Sequence, residues 1–215
     1  MPMSALSGSG GQARGTAGYA VMADLLAVQY EEVTFGQVHR DVLHLLPDVP
    51  RRVLDLGAGT GRDAAALARF GHTVVAVEPT AELRAHGRRL HGEGSIEWVN
   101  DCLPDLTSIQ RADGFGAVFA TAVWMHLDAD ERRKAMARVT TLLVPGGRFF
   151  VNLRHGPVPE GRRMVDVSVA ETAELAAGQG LLMIHSGERP DLHGREDVRW
   201  SYLVLQARDT EDPHS

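Results

Sequence analysis

Three glycines within five residues stand out in the segment Val53-Leu54-Asp55-Leu56-Gly57-Ala58-Gly59-Thr60-Gly61-Arg62-Asp63. Glycine has no Cβ, so a turn of this kind at the carboxyl end of a strand lets a ligand come close to the backbone. Glu78 closes the next strand-like run, where a carboxylate can accept hydrogen bonds from both hydroxyls of a ribose. Asp101 and Cys102 follow a third run, where a carboxylate can meet an adenine amino group. Arg62 occupies the position at which the dinucleotide fingerprint G-x-G-x-x-G requires its last glycine, so that fingerprint is not met. His126 and His155 are the candidate general bases, with hydrogen bonding to nearby backbone as the plain alternative for His126. Arg154, Arg162 and Arg163 read equally well as a grip on a carboxylate or phosphate and as a solvated loop.

Alternating strands and helices must position these residues. The spacing predicts helices over 19–31 and 35–46, then a short apolar strand, 52–56, leading into the glycine turn. Helix 63–70, strand 73–77, helix 80–90 and strands 96–99 and 116–120 follow. Asp128 with Glu131, and Ser168 with Glu171, have capping-box spacing and open helices that reach about 143 and 179. Pro145-Gly146-Gly147 reads as a turn before strand 148–153. Strands 181–185 and 199–206 are separated by a linker of about a dozen residues too irregular for a helix, so they are expected to pair antiparallel. The fold class is therefore α/β, a doubly wound and mostly parallel sheet with helices on both faces.

The chain has 215 residues, 44% hydrophobic and 23% charged, as expected of one ordinary globular domain. Residues 1–18 are too poor in large apolar side chains to order themselves, and 208–215 should fray, which leaves 19–207 as the domain. A net charge of -6 argues against a protein that wraps nucleic acid. One cysteine supports neither a disulfide nor a Cys-rich metal site, and no metal is expected. With no spanning apolar run and no basic-then-apolar leader, the expectation is a cytoplasmic protein that does not engage a membrane. Oligomeric state is left open.

Val53–Gly61, Glu78, Asp101, the stretch 120–127 and Leu143-Val144-Pro145-Gly146-Gly147, in that order, resemble a class I S-adenosylmethionine-dependent methyltransferase. The resemblance covers roughly 53–153 and implies a seven-stranded sheet whose last strand is antiparallel, with the cofactor across the strands' carboxyl ends. It implies that Gly57, Ala58 and Gly59 line the methionine and ribose, that Asp55 orients the turn from below, and that Glu78 holds the ribose. Pro79 would lie against the adenine, Asp101 and Cys102 at its edge, and Tyr30 over the cofactor. Ala120 would offer its carbonyl to the methionine amino group. Neither the Asn/Asp-Pro-Pro-aromatic signature of amino-directed DNA methyltransferases nor a Pro-Cys pair nor a paired-glutamate loop is present. These absences and the acidic charge favour a small-molecule O- or N-acceptor. Its pocket is expected between a roof near Tyr30 and Phe35 and a wall at 154–163, with His126 or His155 at the transferred methyl. Two alternatives compete: a dinucleotide-dependent oxidoreductase, and a non-catalytic cofactor-binding protein of the same fold.

Overall fold

The computed structural model describes residues 16, 18–92, 96–110 and 114–209. The expected leader and tail fall largely outside these residues, although Thr16, Gly18, Arg208 and Asp209 are described.

Strands β1 (Arg52–Leu56), β2 (Thr73–Val77), β3 (Ile96–Val99), β4 (Phe115–Ala120), β5 (Leu143–His155), β6 (Leu181–Pro190) and β7 (Arg199–Ala207) form one sheet in the order β3-β2-β1-β4-β5-β7-β6. The first five strands pair in parallel, and β7 runs antiparallel to both β5 and β6. Apolar residues fill both faces because both faces are covered. Leu54, Leu56, Val75, Val77, Val118 and Ala120 point into one core cluster, while Val53, Val74, Ala76, Ala117 and Phe119 point into the other. The period of two along each strand sets this division. Phe119 and Phe150 stack across β4 and β5 with ring centroids 4.5 Å apart.

Helices α3 (Arg62–Arg69), α4 (Ala81–His91), α5 (Ala129–Leu142) and α6 (Val169–Gly178) connect the strands. The Asp128–Glu131 box forms in full at α5, each side chain accepting from the other residue's backbone N–H. At α6 only half of it forms: Ser168 Oγ accepts from the Glu171 amide, and the Glu171 carboxylate turns to Arg132 on α5 instead. Before the sheet, α1 (Ala23–Glu31) rests on α4 through Ala23, Leu26 and Leu83. The stretch expected as one helix over 35–46 is broken into α2 (Phe35–Val38) and a 3₁₀ segment, Arg40–Leu45. The break falls at His39, whose ring turns inward to hydrogen-bond Asp63 on α3. The Pro145–Gly147 turn is a register shift inside β5 rather than a stop before it, and β6 runs on to Pro190, which shortens the linker to β7. Among the described residues, no helix is long and apolar enough to cross a membrane.

Trp98 of β3 wedges between the glycine turn and α4. A Cβ on Gly61 would lie 2.7 Å from its ring, and one on Gly87 would meet both that ring and the Thr60 carbonyl at 2.8 Å. In an open helix Gly→Ala stabilises by about 1 kcal/mol. Here Gly87→Ala should instead destabilise by about 1–3 kcal/mol, because the added carbon meets an indole and a backbone oxygen. Urea unfolding checks this, and a mutant more stable than wild type would refute the packing reading.

Candidate active site

The site grows from the end of β1. Gly57, Gly59 and Gly61 have φ of +64°, +56° and +81°, in the left-handed region that side chains with a Cβ avoid. A Cβ on Gly57 would lie 2.5 Å from Val123, and one on Gly59 would lie 3.2 Å from the Tyr30 ring. Both glycines therefore keep a cradle open between the turn, the loop after β4 and α1. Gly61 sits immediately before α3, so the first amides of that helix begin where the turn ends.

Three buried carboxyl groups flank the turn in sequence or in space, each in a different electrostatic setting. Glu78 is buried at the end of β2; its Oε2 accepts from the Gly59 amide at 2.9 Å and its Oε1 from the Thr80 amide at 2.8 Å. Burial pushes its carboxyl up, against the pull of these N–H donors. Arg84 donates to the Glu78 carbonyl and to Asn100, which joins the ends of β2 and β3. Asp55 is buried beneath the turn, and its Oδ2 has no hydrogen-bond partner among the described residues. Burial, then the charge of Asp63, drive the Asp55 carboxyl well above the usual carboxylate range. Asp63 is the opposite case. Burial again raises its pKa, but Arg62 and His39 outweigh it and hold the group far below that range. It accepts from Arg62 Nε at 2.7 Å, His39 Nε2 at 2.8 Å and Thr121 Oγ1 at 2.9 Å. Asp63 thereby links α3, the residue that breaks the second N-terminal helix, and the loop after β4.

These groups open onto a cavity of about 510 Å³, within the range of small-molecule and cofactor sites. Tyr30, Asp55, Gly57, Ala58, Gly59, Glu78, Pro79, Cys102 and His126 all line it. Ala120 is fully buried just short of the wall, which is formed by Thr121, Ala122 and Val123. Asp101 spends its carboxylate on the amides of Cys102 and Ser108, shaping the loop and not the wall. His155 stands away from the cavity, with its Nε2 2.8 Å from Ser201 Oγ, and Phe35 is packed into the core around Phe119.

Sequence reasoning missed two parts of the wall. Thr16 and Tyr19 line the cavity, although Thr16 lies in the expected leader, and a Cβ on Gly18 would lie 2.7 Å from the Gly161 carbonyl. Arg189, Asp191, His193, Arg195 and Trp200, from the β6–β7 connection and its flanks, close the far end. The missed signal was Asp191-Leu192-His193-Gly194-Arg195, a charged turn at the sheet's carboxyl edge. Asp191 is gripped by both Arg195 Nε and its NH2 group, at 2.9 and 2.7 Å, and by Trp200 Nε1 at 2.9 Å.

His126 has partners on both ring nitrogens. Its Nδ1–H donates to the Arg163 carbonyl at 2.7 Å, leaving Nε2 to accept from the Tyr19 hydroxyl at 2.9 Å. Burial lowers its pKa, so the ring is neutral at physiological pH. Burial raises the Tyr19 and Tyr30 hydroxyls, which keeps both protonated. The Arg162 guanidinium lies over the Tyr19 ring at 4.9 Å.

The strand order and the glycine turn define a class I methyltransferase fold, and the site residues fit its nucleoside cofactor. The fit rests on the open cradle at Gly57 and Gly59 and on the acidic end of β2, both on the cavity wall. Residues 53–147 match the family model of a methyltransferase domain. Over 129 residues the chain is 36% identical to a demethylmenaquinone methyltransferase of Clavibacter sepedonicus, a match that covers 59% of this chain and 51% of that protein. The chain spans about half the length of the curated relatives it matches. By structure it is similar to the 1,6-didemethyltoxoflavin-N1-methyltransferase of Burkholderia thailandensis, solved with 1,6-didemethyltoxoflavin and S-adenosylhomocysteine, at TM-score 0.62 and 23% identity over 88% of each chain. It is also similar to the cyclase SpnF, at TM-score 0.66 and 14% identity, over 89% of this chain and 94% of that one. The family match identifies residues 53–147 as a methyltransferase domain, and the strand order gives it the class I methyltransferase fold.

Asp63 gives this geometry a thermodynamic test. Asp63→Asn removes a buried anion from its three donors and should cost about 3–5 kcal/mol in urea unfolding at neutral pH. A carboxyl with a depressed folded pKa contributes fully above the unfolded value of about 3.9, and that contribution is lost as pH falls toward the folded one. The gap between wild type and mutant should therefore stay constant above about pH 5 and close only in stronger acid. A gap under about 1 kcal/mol at neutral pH would show that the network does not hold the turn.

Proposed function

We propose that the protein is a methyltransferase that uses S-adenosylmethionine to methylate an oxygen or nitrogen of a small molecule by in-line displacement. One observation carries the reading: the glycine cradle and the Glu78 carboxylate meet at Gly59 and open into a cavity that also reaches His126 and Tyr19. The chain's acidic charge and the small acceptor of the Burkholderia thailandensis enzyme support a small-molecule substrate over a nucleic acid. SpnF is a cyclase on the same fold, so activity has to be argued from the site.

When bound, the cofactor supplies an electrophilic methyl group on a sulfonium. The turn from Gly57 to Gly59 accommodates the cofactor's methionine and ribose, and Glu78 accepts from the ribose hydroxyls with the lone pairs its backbone donors leave free. Pro79 and Cys102 flank the adenine side, and Tyr30 covers Gly59 and excludes water. Displacement at carbon requires chiefly that nucleophile and methyl be held in line. Where the acceptor must lose a proton, the Tyr19–His126 pair provides the route. The acceptor's proton passes to Tyr19 Oη as the Tyr19 proton passes to His126 Nε2, and the imidazolium formed stays anchored to the Arg163 carbonyl through Nδ1.

Calorimetry should give micromolar binding of S-adenosylmethionine and S-adenosylhomocysteine, about 8 kcal/mol, and absence of binding by either would remove the reading. Glu78→Ala should weaken that binding about ten- to hundredfold, since a charge-assisted hydrogen bond contributes about 1.5–3 kcal/mol.

The proton route makes a separate prediction. His126→Ala should lower turnover by about 10²–10⁴-fold with little change in cofactor affinity. Because burial depresses the His126 pKa, its neutral form persists below the ordinary value of about 6.5, so the acid limb of the rate profile should lie below that pH and vanish in the mutant. Turnover in His126→Ala equal to wild type would mean that transfer is positional and uses no base.

A further inference from the structure

At the far end of the cavity, cations outnumber their partners. Arg154, Arg162, Arg189 and Arg195 all line it, in a chain whose net charge is -6. Arg195 is committed to Asp191 by a two-pronged pair, and the acidic Glu131 on the wall is taken by Arg163. Among the described residues, Arg154, Arg162 and Arg189 form no ion pair. Arg189 lies over Trp200 at 5.2 Å. Arg154 is braced by one NH group, which donates to the Pro157 carbonyl at 2.8 Å, and its Nε and second NH group make no described hydrogen bond. Arg162 is braced face-on against Tyr19, beside the proton route.

We propose that Arg154 and Arg162 form an oxyanion subsite that binds a carboxylate or phosphate of the methyl acceptor. This rests on the methyltransferase reading above. A braced guanidinium keeps a planar fork of donors, which suits two-oxygen recognition better than a mobile cation does. Like charges held together in a partly buried cleft repel one another, and an anion between them relieves the repulsion. In keeping with this, burial and then the neighbouring Arg195 lower the Arg154 pKa, and Arg162 adds to the effect. Trp200, Met164 and Leu192 line the same cavity and offer apolar surface for the acceptor's carbon frame. Arg162 also lies next to Tyr19, so an anion gripped there brings a neighbouring hydroxyl or amine to the proton route. Arg163, next to Arg162, is committed to Asp128 and Glu131 and takes no part.

The test uses full-length protein saturated with S-adenosylhomocysteine and titrated at low ionic strength with matched probes. These are benzoate against benzamide, indole-3-acetate against indole-3-acetamide, and phenyl phosphate against phenol. In at least one pair the acid should bind about tenfold or more tightly than its neutral partner, a preference lost in Arg162→Gln and Arg154→Gln and partly retained in Arg162→Lys. No acid preference in any pair, with S-adenosylhomocysteine bound, overturns the subsite and leaves the cofactor reading standing. Loss of S-adenosylhomocysteine affinity in Arg162→Gln, with the acid preference intact, places that guanidinium on the cofactor's own carboxylate and also overturns it. A wild-type protein that does not bind S-adenosylhomocysteine overturns the methyltransferase reading and this proposal with it.

Discussion

The hydrogen bond from the Gly59 amide to Glu78 ties the first turn of the sheet to the end of its second strand. It forms because the chain between β1 and α3 bends through three left-handed glycines, a path that residues with a Cβ cannot follow without strain. Because Gly57 and Gly59 carry no side chains, Val123 and Tyr30 can approach the backbone there, and the cavity takes its shape from that approach. Trp98 fills the outer side of the same turn against Gly61 and Gly87. One backbone constraint thus sets the distance between α1, α4, β3 and the loop after β4.

Holding such a turn requires polar atoms below it, and burying them has a cost. Asp55 and Asp63 handle that cost in opposite ways. Asp63 remains ionised because three donors converge on it, two of them from segments far away in sequence. Asp55, close to that charge and short of donors, is pushed toward its neutral acid. The pair shows how close carboxyls diverge when their donors differ. Farther out, Asp191 is to the β6–β7 connection what Asp63 is to the turn: the anion about which a loop is ordered.

Along the cavity, one end is organised by backbone amides and a carboxylate, and the other by guanidinium groups and aromatic rings. A nucleoside bearing ribose hydroxyls suits the first end, and an anion on an apolar frame suits the second. His126 and Tyr19 stand between them, hydrogen-bonded to each other and dry enough for the imidazole to stay neutral. Methyl transfer has little need of reactive side chains and great need of this arrangement.

Local features of the sequence were enough to read the order of strands and helices along the chain, the glycine turn, the place of Glu78 at the end of β2 and the capping box at Asp128. Each depends on residues within a few positions of one another: alternation, the absence of Cβ atoms, or a side chain reaching its own helix end. The break at His39 was not legible, because an inward hydrogen bond to Asp63 overrides the helical spacing of 35–46. Nor were the roles of the arginines, since Arg162 and Arg163 are adjacent and chemically identical in the chain. Only the fold sends one over Tyr19 into the cavity and the other out to Asp128 and Glu131. Sequence position put His126 only slightly ahead of His155; the fold separates them, with β5 setting His155 beside Ser201 and the 3₁₀ turn after β4 setting His126 against Tyr19. Composition and spacing decide which elements form; which side chains meet across tens of residues is decided by how the helices pack on the sheet, because only packing brings them within hydrogen-bonding distance.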